Sequence, residues 1–380
     1  MKFIIKNINA FILFLLASTL IAHAQEDKLI VPDSFRIKVF ADKIKNPRTM
    51  ALASDQKTIF VGTRKPEKVY ALRDEDGDFY AEKTWTLYER LSQPHGVAVL
   101  GDDLYISQTT RISVAKNILK HLKKAPALEN VIEGLPQDYW HGWKTIRFGP
   151  DGKLYFAVGS TCDACIEKKN ILATINRVDI KTKRIERVAN GVRNSVGFDW
   201  HPLTGRFWFS DNGMDALGHY APSCEINSLS ELGQHFGWPY MHDDSNQHPK
   251  LFSRKPKDLN LVAPAFKLGP HVAPLGIHFY RGNMFPKRYK NSLFVAEHAS
   301  EAGLNKEGYR VKNLLIQSGK VIESKVFLKG WIKKTGEIWG KPTAFLELPD
   351  GSLLVSDDHN DKIYRISYTR SFWEKLQSYF

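Results

Sequence analysis

The feature that most constrains this chain is a pair of short apolar runs joined by a tight turn, repeated along its length. The second run of each pair reads KTIFVGT (57–63), DDLYISQ (102–108), GKLYFAVGS (152–160), GRFWFSDNG (205–213), NSLFVAEHA (291–299) and GSLLVSDDH (351–359). Each is rich in β-branched and aromatic residues and ends in small or polar ones, which is the chemistry of a strand leaving a sheet. The first runs are RTMALAS, HGVAVLG, WKTIRFG, SVGFDWH, LGIHFYR and TAFLELP. The turns between them, among them GPDGK, HPLTG and LPDGS, place Asp and Gly where a hairpin needs left-handed backbone.

Six such hairpins recur at spacings of about 45 to 60 residues, with a gap of about 85 between the fourth and fifth. That period predicts four-stranded blades set radially around an axis, an all-β six-bladed β-propeller. The long gap, residues 214–270, predicts a rim insertion between blades four and five. It is rich in His, Asp, Pro and Lys, and a metal site from His242, Asp243, Asp244 and His248 is set against the plainer reading of a solvated loop on such irregular spacing.

In a propeller, equivalent ends of the innermost strands converge on one funnel. Aligning the hairpins places His141, Arg193 and Lys341 just before the first runs of blades three, four and six. Arg48, Gln93 or His95, and His271 fall at or near the same place in the other blades. The repeat thus predicts a ring of polar, mostly basic groups suited to an anionic ligand, against the plainer reading of hydrogen-bonded groups that only stabilise the axis.

The chain opens on MKFIIK, then AFILFLLASTLIA, then AHAQED. A basic start, an apolar stretch too short to cross a membrane and a small-X-small site predict a secretory signal over residues 1–24, cut before Gln25. Residues 25–368 then form the propeller and 369–380 a tail, TRSFWEKLQSYF, read as a short amphipathic helix docked on its side. No later apolar stretch approaches the roughly 20 residues of a membrane span. The protein is expected in the periplasm or secreted.

Export governs the reading of the three cysteines. In an oxidising compartment Cys162 and Cys165 favour a small disulfide over zinc, because no partner pair stands at ligand spacing. Ile166 after the second cysteine excludes a c-type haem. Cys224 is left over and free. The formal charge of +13 lies largely in solvated runs such as KNILKHLKKAP and RKPKD, which lack the aromatic interleaving of a nucleic-acid face. No nucleic-acid partner is expected; an anionic ligand or an acidic electron-transfer partner is compatible with the charge.

Four stretches carry a further signal: HGWKTIRFGPDGKLYFAVGSTCDAC; NGVRNSVGFDWHPLTGRFWFSDNGMDALG continuing to EINSLSELGQHFGWPY; HVAPLGIHFYRGNMFPKRYKNSLFVAEH; and GKPTAFLELPDGSLLVSDDHNDKIYRISY. Together they resemble the glucose and sorbosone dehydrogenase family, nearest its sorbosone dehydrogenase-like branch, over roughly residues 30–368. The resemblance implies an exported quinoprotein that oxidises the anomeric or aldehyde carbon of a sugar with pyrroloquinoline quinone and Ca2+ in the funnel, and hands electrons to a separate acceptor, a cytochrome or quinone. The cofactor's three carboxylates suit a ring of Arg and Lys.

Position by position, His141 matches the family's general base, expected as a neutral imidazole near its ordinary pKa. Arg193 and Asn194 match the pair on the quinone oxygens, where fixed positive charge supports hydride transfer. Gly213 and Met214 match the residues whose carbonyls hold calcium, a cation that takes hard oxygen ligands. Lys341 stands where the family has Arg, which keeps the charge and loses the fork. Lys306 falls near a further basic cofactor contact, and Arg48 and His95 complete the set expected to face the cofactor.

The chain departs from the family in NGMDALGHYAPSCEIN, where an Arg and an acidic pair are usual, and in HAS (298–300) for HGS. Substrate preference therefore does not carry over. Two rival readings remain on the sequence alone: a calcium-dependent propeller lactonase or hydrolase, and a cofactor-free propeller that binds a carbohydrate or a protein.

Overall fold

The computed structural model describes residues 29–65, 67–137, 140–300 and 306–369. The proposed signal and the tail beyond residue 369 lie outside them. Among the described residues there is no α-helix, only three short 3-10 turns and strands. No helix among them is long and apolar enough to cross a membrane.

Six sheets, each with four antiparallel strands and one of them extended by a fifth, form the predicted six-bladed propeller. The predicted hairpins are the two inner strands of each blade. These are Pro47–Leu52 with Thr58–Thr63, Val97–Leu100 with Asp103–Ser107, Ile146–Phe148 with Leu154–Val158, Phe198–Trp200 with Phe207–Asp211, Pro274–Phe279 with Leu293–Glu297, and Pro342–Glu347 with Leu353–Asp357. Second strands are covered on both faces; every residue of Thr58–Thr63 and of Phe207–Asp211 is buried. That is why they read as continuous apolar runs.

One apolar cluster fills each gap between neighbouring blades. Phe60, Leu104 and Ile106 meet between blades one and two, and Phe294, Tyr364 and Trp331 between five and six. At about 1.5–3 kcal/mol for each large side chain removed from water, these six interfaces hold the ring together. Where blades touch at the axis there is no room for a side chain: a Cβ on Gly197 would lie 2.2 Å from the Leu275 carbonyl oxygen.

The polar ends of the second runs now have a purpose. Ser107 Oγ donates to the Lys144 carbonyl (2.6 Å), Ser210 Oγ to that of Leu275 (2.8 Å) and Ser356 Oγ to that of Arg48 (2.8 Å), each a residue of the next blade. These bonds satisfy carbonyls that the inner strands would otherwise bury unpaired at the axis.

Two features were not predicted. The N-terminal strand Phe35–Ala41 pairs antiparallel with Lys362–Tyr368 as the outer strand of blade six, so the ring is closed by both ends of the chain. The long gap is also divided differently from its sequence reading. Cys224–Ser228 and Phe266–Gly269 are the third and fourth strands of blade four itself, and the insertion lies inside that blade, between them. Part of it, Gln234–His235, adds parallel to the outer strand Ile185–Asn190 of blade three.

Candidate functional site

In an antiparallel blade the start of the innermost strand and the end of the second lie at the same end of the sheet. Each blade therefore delivers two segments to one mouth of the axis. Blade one supplies Arg48 and Arg64, blade three His141–Lys144 and Ser160–Asp163, blade four Arg193–Ser195 and Asp211–Gly213. Blade two supplies His95, blade five His271 and His298, and blade six Lys341 and Asp358.

His141 is 5% exposed. Its Nδ1 lies 2.9 Å from the Ser160 carbonyl and 3.0 Å from Ser160 Oγ, which itself donates to the Cys162 carbonyl. A carbonyl only accepts, so Nδ1 carries the proton and Nε2 keeps a lone pair without a partner among the described residues. A Cβ at position 159 would lie 2.4 Å from that of His141, so Gly159 is what lets the ring seat there. The expected ordinary pKa is corrected: burial first, then the Arg193 charge, press it down to about 3. The imidazole is a locked, neutral acceptor.

Arg193, also buried, is held by the loop that the disulfide closes. Cys162 and Cys165 are joined, as expected, and between them Asp163 accepts Arg193 Nη2 at 2.6 Å on its carboxylate and Nε at 3.0 Å on its carbonyl. The same carboxylate accepts the backbone N–H groups of Asp215 and Ala216, both at 3.0 Å, and the same carbonyl accepts Trp238 Nε1 from the insertion. One four-residue turn thus ties together the arginine, the 213–216 turn and the rim. The Asn194 side-chain amide is buried, and its backbone N–H donates to Asp211.

Across the mouth Arg48 is 2% exposed; it pairs with Asp358, and its Nε donates to His95 Nδ1 at 3.2 Å. His95 must therefore carry its proton on Nε2, which meets Thr145 Oγ1 at 3.1 Å. His298 takes the other Asp358 oxygen at 2.9 Å. Burial would raise the Asp358 pKa, but His298 and Arg48 together hold it far below the usual carboxylate range. Lys341 places its ammonium 5.7 Å from the Tyr309 ring, and its backbone N–H donates to Asp357.

Lys306 is not part of this set. It is exposed, its ammonium donates to the Gly336 carbonyl at 2.9 Å, and it enters none of the contacts that link the others. Gly213 and Met214 lie on the turn that Asp163 organises; the Gly213 N–H faces Cys224 Sγ at 3.4 Å, and Cys224 is the free, buried cysteine expected. His271 packs on the same turn, with Nε2 donating to the Gly218 carbonyl at 2.8 Å.

Sequence reasoning named the starts of the inner strands and, after the second ones, Gly213 and Met214 of blade four, and it missed Arg64, Asp163, His298 and Asp358. The signal was available, since these residues follow the same apolar runs and antiparallel pairing brings both edges to one end. The insertion holds no metal set among its described residues. Asp243 is engaged by Ser223, Ser245 and Asn246, Asp244 pairs outward with Lys267, and His242 stacks near His248. The described carboxylates that do converge, Asp74, Asp76, Asp78 and Glu82, sit on an outer turn of blade one.

The donor set fits a polycarboxylate. Asp163 pairs with Arg193 and Asp358 with Arg48 in a ring that also holds Arg64, Lys144 and Lys341. Burial pushes the nearby Asp357 up to about 7. Trp143 Nε1 and Ser195 Oγ are buried polar atoms without a partner among the described residues, which is what a site built for a polar ligand leaves behind. The 213–216 turn offers carbonyl oxygens of the kind calcium takes.

Comparison with known proteins agrees with this architecture. The family described as "Domain of unknown function (DUF7133)" matches residues 62–377. A relative from Borreliella burgdorferi named "Uncharacterized protein" is 35% identical over 373 residues, covering 94% of this chain and 96% of its own. Among solved structures, the holo form of the pyranose dehydrogenase PQQ domain from Coprinopsis cinerea superposes with a TM-score of 0.74 at 17% identity, over 89% of this chain and 97% of that one. A calcium structure of Trichoderma reesei Carbohydrate-Active Enzymes Family AA12 gives 0.74 at 16%, over 90% and 97%. The apo-form of the soluble aldose sugar dehydrogenase from Escherichia coli gives 0.65 at 16%, over 88% and 100%. At such identities the likeness is one of fold.

Proposed function

We propose for this chain, which belongs to the DUF7133 family, the oxidation of an aldose or a sorbosone-like sugar aldehyde in the mouth described above, with pyrroloquinoline quinone and Ca2+ as cofactors. The observation that carries the reading is His141: a buried imidazole with Nδ1–H fixed to a carbonyl and Nε2 free, inside a ring with more cations than ionised carboxylates. The fold shared with a pyranose dehydrogenase PQQ domain and with a PQQ-bound aldose sugar dehydrogenase supports it.

Bound there, the quinone would supply the two-electron acceptor that takes hydride from the substrate carbon. His141 Nε2 accepts the proton of the reacting hydroxyl, and its low basicity in the free protein rises once an anionic group offsets the Arg193 charge. Arg193 and Asn194 present donors where negative charge develops. Arg48 and Lys341 are cations for carboxylates on the far side, and the carbonyls of Gly213 and Met214 are the expected calcium ligands. Electrons leave to a separate acceptor after export of the protein.

The test is dye-linked turnover of aldoses and sugar aldehydes by purified protein with and without added quinone and Ca2+. Turnover that requires both is expected. Sugar binding without turnover under any loading would replace this reading with that of a binding propeller.

A further inference from the structure

Arg64 follows the second strand of blade one and stands out from the other cations of the mouth. Arg48 has Asp358, Arg193 has Asp163, and the Lys144 ammonium is met by the carbonyls of Thr109 and Gly142 at 2.6 and 2.7 Å. The Arg64 guanidinium makes no hydrogen bond or ion pair with any described residue. Its central carbon lies over the Trp143 indole, 3.9 Å from the ring centroid. The one carboxylate whose charge it feels, Asp358, spends both oxygens on Arg48 and His298.

This is an expensive arrangement for a structural residue. Burial and the repulsion of Arg48 lower the Arg64 pKa to about 10, and a partly buried cation without a counter-ion is normally selected against. Stacking on an indole leaves the in-plane N–H groups of the fork free, which is the geometry that receives a carboxylate in two parallel bonds. The indole brings a second donor, because Trp143 Nε1 is buried without a partner among the described residues. The pair is beside the proposed base: the Trp143 ring is 6.2 Å from that of His141 and nearly perpendicular to it, and the Arg64 charge presses on both His141 and His95.

We infer that Arg64 and Trp143 form a carboxylate-binding subsite of this mouth. The carboxylate belongs either to the quinone, in which case the inference rests on the function proposed above, or to an acidic sugar such as a uronate.

Arg64→Gln removes the charge and Arg64→Lys keeps it while losing the fork; without ligand, both are expected to melt no lower than the wild type. Binding of pyrroloquinoline quinone with Ca2+, and of tricarballylate as a plain tricarboxylate, is followed by tryptophan fluorescence. Steady-state turnover compares glucuronate with glucose. If the quinone is the source, Arg64→Gln weakens quinone binding about tenfold or more, Arg64→Lys by less, and the glucuronate-to-glucose ratio of kcat/KM stays put. If the substrate is the source, quinone binding is unchanged and KM rises about tenfold for glucuronate alone.

Wild-type protein that binds tricarballylate through Arg64 but not the quinone retains the subsite and overturns the quinoprotein reading. Wild-type protein that binds the quinone as well as Arg64→Gln does, with tricarballylate and glucuronate also indifferent to the change, overturns the subsite and leaves that reading standing. Binding of neither probe overturns both.

Discussion

The two ends of the propeller axis are built from the same residue types and differ in how their charges are matched. At the end opposite the candidate site, Asp199 is fully buried and accepts the Trp200 and Phe279 N–H groups and both Nη atoms of Arg281, with Arg147 at 3.2 Å. His278 Nε2 meets Glu347 at 2.9 Å, and the same Glu347 oxygen accepts the Arg281 N–H. Burial alone would raise the Asp199 pKa, yet Arg147 and Arg281 hold it at about 2. Two arginines answer two carboxylates and tie the ends of four blades together, and Arg147, His278, Arg281 and Glu347 line a channel of about 460 Å3. At the other end five cations stand around the Asp163 and Asp358 carboxylates, the Arg64 guanidinium makes no hydrogen bond or ion pair with any described residue, and the His141 imidazole presents a lone pair without a described partner. Matched charge makes a plug; unmatched charge makes a site.

The largest effect separating the two ends should come from His141→Ala, which is expected to lower turnover by about 100- to 10,000-fold while the melting temperature holds. In the quinone-free wild type His141 should not titrate at the ordinary histidine value of about 6.5 when followed by NMR, because the imidazole stays neutral down to about 3. A His141 titration near 6.5 in the quinone-free protein would contradict the buried, neutral ring. Asp199→Ala should do the reverse: about 3–5 kcal/mol of stability lost in denaturant unfolding, from leaving Arg281 and Arg147 uncompensated in the plug, with quinone affinity of the folded fraction unchanged. A drop in affinity would show that the two ends are coupled.

Asp163→Asn is expected to weaken quinone binding about tenfold at modest cost in stability, since it frees Arg193 and the 213–216 turn together. Asp163→Glu should not restore binding, because the disulfide fixes where that carboxylate stands. Full affinity in Asp163→Asn would remove the loop from the account.

The smallest effect is on pH dependence. Burial first, then the Asp211 charge, push Glu225 up to about 8. Below about 4.5 the acid is protonated in folded and unfolded chains alike; between there and about 8 only the folded chain keeps the proton, so stability falls as pH rises. Relative to Glu225→Gln, the wild type should lose melting temperature steadily from pH 5 to 8 and no further above it. A constant difference over that range would contradict the buried neutral acid.

What was legible in the sequence follows from the same physics. The inner hairpins are sealed on both faces, so KTIFVGT and GRFWFSDNG declare themselves. Outer strands are half solvated: Lys320–Leu328 is exposed or half-buried up to Val326 and buried only at Phe327 and Leu328, and reads as a loop as easily as a strand. The closing strand Phe35–Ala41 pairs with residues more than 320 positions away, a contact no local pattern encodes. In blade four the short strand Cys224–Ser228 was absorbed into an apparent insertion. His141, Arg193 and Arg48 were found because they precede inner strands. Arg64, Asp163 and Asp358 needed the second edge of each blade, and Asp163 also needed the disulfide turn that points it at Arg193.

The proposed function requires that the mouth hold a quinone beside His141. Titrating pyrroloquinoline quinone into the purified protein with Ca2+, while recording its absorbance, tests this most directly. The expected result is saturation at one quinone per chain and a spectral change to the reduced form on adding an aldose, the reduction but not the binding being lost in His141→Ala. Absence of saturable binding in protein shown to be folded, or reduction by sugar that survives loss of the histidine, would contradict it.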